Sequence, residues 1–153
     1  MKLTVGMKAP EFTLPDNNDG EVSLKDLRGR KVLLSWHPLA WTSVCTDQMR
    51  ALEAHHDRFE KNNTVALGMS VDPAPSKKVW AQVLSIRKTK LLSDFWPHGK
   101  VAQDLGIFLE DMGISGRANI LIDEEGNIEW VKIYDIPQLP DIEEVFSVIE
   151  GKK

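Results

Sequence analysis

The run Thr64-Val65-Ala66-Leu67-Gly68-Met69-Ser70-Val71 is almost without polar interruption over the length of one strand. A strand of that composition has no face to offer to water, so the chain must cover it on both sides. Lys31-Val32-Leu33-Leu34-Ser35-Trp36 has the same character and ends before Pro38. Between the two, Cys45, Met49, Leu52, His56 and Phe59 recur at spacings of four, three, four and three, which places all five on one stripe of a single helix. A strand, a helix and a second buried strand in that order form a parallel crossover.

The remaining punctuation completes the plan. Phe12-Thr13-Leu14 and Val22-Ser23-Leu24 alternate on either side of the turn cluster Asn17-Asn18-Asp19-Gly20, which predicts a short hairpin near the N-terminus. Helical stretches are expected at about 76–88 and, shorter, at about 101–105. Ala118-Asn119-Ile120-Leu121-Ile122-Asp123, the turn Glu124-Glu125-Gly126-Asn127, and Ile128-Glu129-Trp130-Val131-Lys132-Ile133-Tyr134 form the clearest hairpin in the sequence. Pro140 is expected to open a last helix reaching about position 150, with Asp141, Glu143 and Glu144 near its positive end. This order of elements predicts an α/β chain of the thioredoxin-like type: a central mixed β-sheet flanked by α-helices, with an N-terminal β-hairpin. At 153 residues the length predicts one domain spanning 1–153.

Composition narrows the partners. A net charge of −4, with basic residues scattered along the chain, lacks the electrostatic footprint of nucleic-acid binding. The N-terminal segment has no apolar run suited to a signal peptide, and no apolar stretch of spanning length follows. A soluble cytoplasmic protein with no membrane partner is expected, in a reducing compartment where a lone thiol persists.

That lone thiol is Cys45, the single cysteine of the chain. It stands where the strand pattern gives way to the helix pattern, so backbone N–H groups and the positive end of a helix dipole are available to hold it as thiolate. With one cysteine there is no internal disulfide and no Cys-x-x-Cys pair, so a reactive Cys45 needs a second thiol from outside. The other reading is a small buried hydrophobe. Around it lies Pro38-x3-Thr42-x2-Cys45, and far along the chain Arg117 opens a strand pattern. Taken singly, Pro38 could end a strand, Thr42 could cap a helix and Arg117 could lie on the surface. His37 reads as packing and Gln48 receives no chemical role. His55 and His56 project about 100° apart on a helix and make a poor chelating pair. No metal-ligand cluster or phosphate-binding glycine loop is found, and Gly68-Met69-Ser70-Val71-Asp72 lacks the second glycine of a nucleophile elbow.

Together, Pro38-x3-Thr42-x2-Cys45, Ala9-Pro10-Glu11-Phe12-Thr13-Leu14, Leu91-Leu92-Ser93-Asp94 and the strand from Arg117 to Asp123 resemble the peroxiredoxins, the alkyl hydroperoxide reductase and thiol-specific antioxidant family. The length, Pro38-Leu39-Ala40 and Asp94-Phe95-Trp96-Pro97-His98-Gly99 most resemble its AhpE-type one-cysteine subgroup. The resemblance implies a thiol-dependent peroxidase without cofactor or metal, in which Cys45 attacks a hydroperoxide and becomes a sulfenic acid. It implies Arg117 as the cation beside the thiolate, Thr42 as a hydroxyl accepting from the hydroperoxide while donating to the sulfur, and Pro38 as a shield against water. An external thiol or dithiol protein would reduce the oxidised enzyme, and a homodimer is implied. Two alternatives remain: a redox sensor relaying oxidation from Cys45 to a partner protein, and a thioredoxin-like protein without redox activity. Where many members carry Glu three residues after the cysteine, this chain has Gln48.

Overall fold

The computed structural model describes residues 3–151. Its centre is a five-stranded sheet made of β3 (Lys31–Trp36), β4 (Thr64–Ser70), β5 (Lys90–Ser93), β8 (Arg117–Ile122) and β9 (Ile128–Tyr134), in the order β5-β4-β3-β8-β9. β3, β4 and β5 run parallel, while β8 is antiparallel to both β3 and β9. The mixed sheet expected from the sequence is therefore present, with β5 as an additional strand. Its four residues are too short a run to show a period.

Side-chain alternation divides the core in two. Val32, Leu34 and Trp36 of β3, Leu67 and Met69 of β4, and Ala118, Ile120 and Ile122 of β8 face one layer. That layer is closed by helix α4 (Lys100–Asp104) and by the N-terminal hairpin of β1 (Thr13–Pro15) and β2 (Glu21–Ser23). Leu33 and Leu121 face the opposite layer with Cys45, Met49 and Leu52 of α1 (Ser43–Ala54), Phe59 of α2 (His56–Lys61), Trp80 of α3 (Ala74–Val83) and Phe146 of α5 (Ile142–Ile149). Gly68 makes this second layer thin enough, because a Cβ there would lie 2.3 Å from Met49 Sδ. A small two-stranded sheet of β6 (Phe108–Leu109) and β7 (Ile114–Ser115) precedes β8.

Three helix boundaries differ from expectation. The single helix carrying Cys45 through Phe59 is two, broken at His55 (φ −105°, ψ 17°), whose ring Nδ1 lies 2.9 Å from the Ala51 carbonyl and competes for the helical ladder. The buried stripe survives the break at Phe59, but His56 is left partly exposed. The helix expected at 76–88 spans Ala74–Val83, ending where Ser85 takes φ 56°. There Ser85 N–H bonds the Gln82 carbonyl and Ile86 N–H the Ala81 carbonyl, a Schellman termination that no glycine announces. Pro140 does not open the last helix. Asp141 caps it by accepting from Glu143 N–H, and the helix starts at Ile142.

Beyond β5, Asp94 is 1% exposed and accepts from Val101 N–H and Ala102 N–H at the start of α4. Burial, partly offset by those two bonds, pushes its carboxyl up to about 6. A carboxyl whose folded-state value is raised binds its proton more tightly folded than unfolded, so its contribution to stability declines as pH rises from about 4 to about 6. Asp94→Asn is expected to remove that slope. The stability of the wild type relative to the variant should drop by about 2–3 kcal/mol between pH 4 and pH 7 in denaturant titrations. Parallel stability curves for the two proteins would contradict this.

Candidate active site

The site lies at the C-terminal ends of the parallel strands, where crevices of α/β sheets form. β3 ends at Trp36, residues 37–42 turn the chain with Trp41 at φ 75°, and α1 begins at Ser43 with Thr42 at the N-cap position. Cys45 is the third residue of α1 and is 1% exposed, in the core layer that also holds Ala40 and Trp80. Its sulfur thus sits in the first turn, near helix N–H groups without intrahelical partners.

Strand parity brings Arg117 to it. Ala118, Ile120 and Ile122 face the other layer, so Arg117 and Asn119 face α1, and the pairings Trp36 with Ala118 and Ser35 with Asn119 set them at the end of β3. Arg117 is a buried residue, not a surface one, and its Nη1 donates to Cys45 Sγ at 3.4 Å. Two acceptors fix the guanidinium: Nη1 also donates to Gln48 Oε1 at 2.6 Å and Nε to the Ile136 carbonyl at 2.9 Å. Among the described residues Nη2 has no partner, which leaves donors of a permanently charged fork for a substrate oxygen.

Gln48 is the functional residue that sequence reasoning passed over. It lies one turn after Cys45, is buried, and its amide is satisfied at both ends: Nε2 donates to Ser35 Oγ at 2.8 Å and the Trp36 carbonyl at 3.1 Å, while Oε1 receives Arg117. It therefore sets the angle at which the guanidinium meets the sulfur. The available signal was the i, i+3 spacing, which puts Gln48 and Cys45 on one helix face.

The other expected residues lie in the turn that leads into α1. Pro38 is buried in the turn. Thr42 is exposed, and its hydroxyl donates to the Leu39 carbonyl at 2.8 Å rather than to the sulfur. Its lone pairs stay open to an incoming O–H, while the expected donation to sulfur is replaced by a bond that shapes the turn. His37 is fully buried with its ring 5.4 Å from that of Trp80. Burial, then the charge of Lys77, holds its pKa well below the ordinary histidine value and keeps it neutral.

A second residue escaped the sequence reading. Lys77 of α3 is wholly buried, and its Nζ donates to Ser70 Oγ at 2.9 Å and to the Leu92 carbonyl at 2.8 Å. Burial pushes its amine down to about 7, against the opposing pull of Asp72, Cys45 and Asp94. Its positions relative to Trp80 and Ala81, three and four residues on, mark the inward face of α3.

Known proteins resemble this chain in sequence and in fold. The chain is 42% identical over 132 residues to "Alkyl hydroperoxide reductase E" of Mycobacterium tuberculosis, covering 86% of each protein. It is 31% identical to "Peroxiredoxin-1" of Gallus gallus across 98% of this chain and 79% of that one. The reduced 2-Cys peroxiredoxin of Plasmodium vivax superposes with a TM-score of 0.89 at 29% identity, over 95% of this chain and 80% of the other. The AhpC/TSA family model matches residues 5–131, a span that runs from before the N-terminal hairpin into β9 and takes in Pro38, Thr42, Cys45 and Arg117. By that match and these identities, the chain belongs to the AhpC/TSA family, the peroxiredoxins.

Proposed function

We propose that this protein is a thiol-dependent peroxidase that reduces hydrogen peroxide and organic hydroperoxides at Cys45. The observation that carries the reading is the buried Arg117 guanidinium donating to Cys45 Sγ at 3.4 Å. A charge-assisted contact of this kind in a dry site favours the thiolate, the nucleophilic form. The thiolate attacks the terminal peroxide oxygen. A sulfur–oxygen bond forms as the oxygen–oxygen bond breaks, the electron pair leaves with the alkoxide or hydroxide, and a proton makes it alcohol or water. Sulfur is oxidised by two electrons to the sulfenic acid. Arg117 Nη2 stabilises the departing oxygen as charge builds on it. Thr42 accepts from the hydroperoxide O–H and orients it, and Pro38, with no N–H to solvate, covers the sulfur.

The chain contains no second cysteine, so the reductant is an external thiol or dithiol protein. Its thiolate attacks the sulfenic sulfur, water leaves, and the resulting mixed disulfide is resolved by another thiol. A cytoplasmic setting suits this cycle, since reduced thiols are abundant there. No helix among the described residues is long and apolar enough to cross a membrane. A homodimer belongs to the same reading, and the exposed rings of Trp41, Phe95 and Trp96 supply apolar surface for it.

The test is a single-turnover reaction with hydrogen peroxide and one alkyl hydroperoxide. Cys45 should gain the mass of one oxygen at a rate at least about a thousandfold above that of a free cysteine, roughly 4 kcal/mol of barrier. A rate equal to the free thiol's would end the proposal.

A further inference from the structure

Behind the turn that carries Pro38 and Thr42 runs a directional chain of hydrogen bonds rooted in a residue with no ordinary reason to be buried. Lys77 Nζ donates to Ser70 Oγ at 2.9 Å, Ser70 Oγ donates to Asp72 Oδ2 at 2.6 Å, and the same oxygen accepts from Ala40 N–H at 2.8 Å. Ser70 is buried too, and it closes β4, so the chain is anchored to the sheet at one end and to the active-site turn at the other. Ser70 Oγ also accepts from Asp72 N–H at 3.3 Å, and Lys77 Nζ donates besides to the Leu92 carbonyl at 2.8 Å, so both lone pairs of the serine are occupied. The lysine proton occupies a serine lone pair, which points the hydroxyl proton at Asp72, and the carboxylate pulls on the Ala40 amide. We propose that Lys77 is a positioning residue for the peroxide reaction, holding the turn of Pro38 and Thr42 against Cys45 through Ser70, Asp72 and the Ala40 N–H.

Charge supports the assignment. The groups acting on the amine are Asp72, Asp94 and the sulfur of Cys45, while its own charge acts on neutral His37. Of these, Cys45 bears the reacting sulfur, so the amine and the reaction centre lie within electrostatic reach of one another. Burying an amine costs stability, since its folded-state value is lowered to about 7 and its contribution rises only as pH climbs from there toward the free lysine value. A cost of that kind, met beside a nucleophile, is the mark of a group kept for function.

The inference rests on the peroxidase reading, whose own test is the wild-type rate; this one compares variants with that rate. Lys77→Met keeps the buried volume and removes the donor. It is expected to slow the reaction of Cys45 with hydrogen peroxide at least fivefold at neutral pH and to move the rise of rate with pH to higher pH. The melting temperature should be equal to or above the wild type's. Asp72→Ala should lose activity similarly, and the double variant should be no slower than the slower single variant, because both act on one chain. Ser70→Ala interrupts the relay with the lysine in place and should show the same slowing, which decides the matter if Lys77→Met does not fold. A folded Lys77→Met with wild-type rate and pH profile would overturn the proposal. So would a slowing that comes with a lowered melting temperature and an unmoved pH profile, or a Ser70→Ala as fast as the wild type.

Discussion

Arg117→Met is expected to slow the reaction of Cys45 with hydrogen peroxide by a factor of about 10²–10³, or roughly 3–4 kcal/mol. The guanidinium is asked for two things at once. In the proposed mechanism it faces the sulfur before the reaction and the leaving oxygen during it, and only the second is specific to the transition state. Methionine matches the buried stem but donates nothing, leaving Gln48 Oε1 and the Ile136 carbonyl without the donor they have at 2.6 and 2.9 Å. Some stability is lost with them, about 1–3 kcal/mol for each buried acceptor left unpaired. Arg117→Lys separates charge from shape: a point charge on a flexible stem cannot serve Cys45, Gln48 and a peroxide oxygen in one plane. It should recover only part of the rate. Stopped-flow measurement at neutral pH checks both variants, and an Arg117→Met rate within threefold of the wild type would remove the arginine from the mechanism.

Cys45→Ser should abolish the peroxide reaction outright, with neither oxygen addition nor turnover above the uncatalysed level. A serine hydroxyl remains protonated at neutral pH where a thiol is already a few per cent ionised, and Arg117 alone cannot make up that difference. The fold should survive, because the substitution is close in size and the hydroxyl gains the donor that now points at the sulfur from 3.4 Å. Mass spectrometry before and after peroxide, with near-ultraviolet circular dichroism on the same samples, tests both parts. Residual peroxidase activity in Cys45→Ser would mean the chemistry lies elsewhere.

What the sequence disclosed follows from period and burial. β3, β4 and the β8–β9 hairpin were legible because buried strands need apolar runs or strict alternation, and these are long enough to display either. β5, with four residues, and β6 and β7, with two each, are held by their neighbours and show no period of their own. The break at His55 was hidden because Phe59 keeps the stripe going beyond it. Within the site, Cys45 could be singled out from residue type and place, and Arg117 through the family resemblance alone. Gln48 could not, since an amide matters here only through what it orients, and Lys77 could not, since lysine is so often solvated that its inward helical phase carried little weight.

Ser35, Ser70, Arg117 and Leu121 share one side of the sheet, and each next neighbour along its strand turns to the other. A slip of one residue between β3 and β8 would trade the guanidinium for the methyl group of Ala118 or the bare backbone of Gly116, with the outline of the molecule almost intact. Misregistered chains of this kind would look folded by their bulk spectra yet be chemically silent. The register of this one long-range strand pair thereby decides whether a folded chain is an enzyme at all.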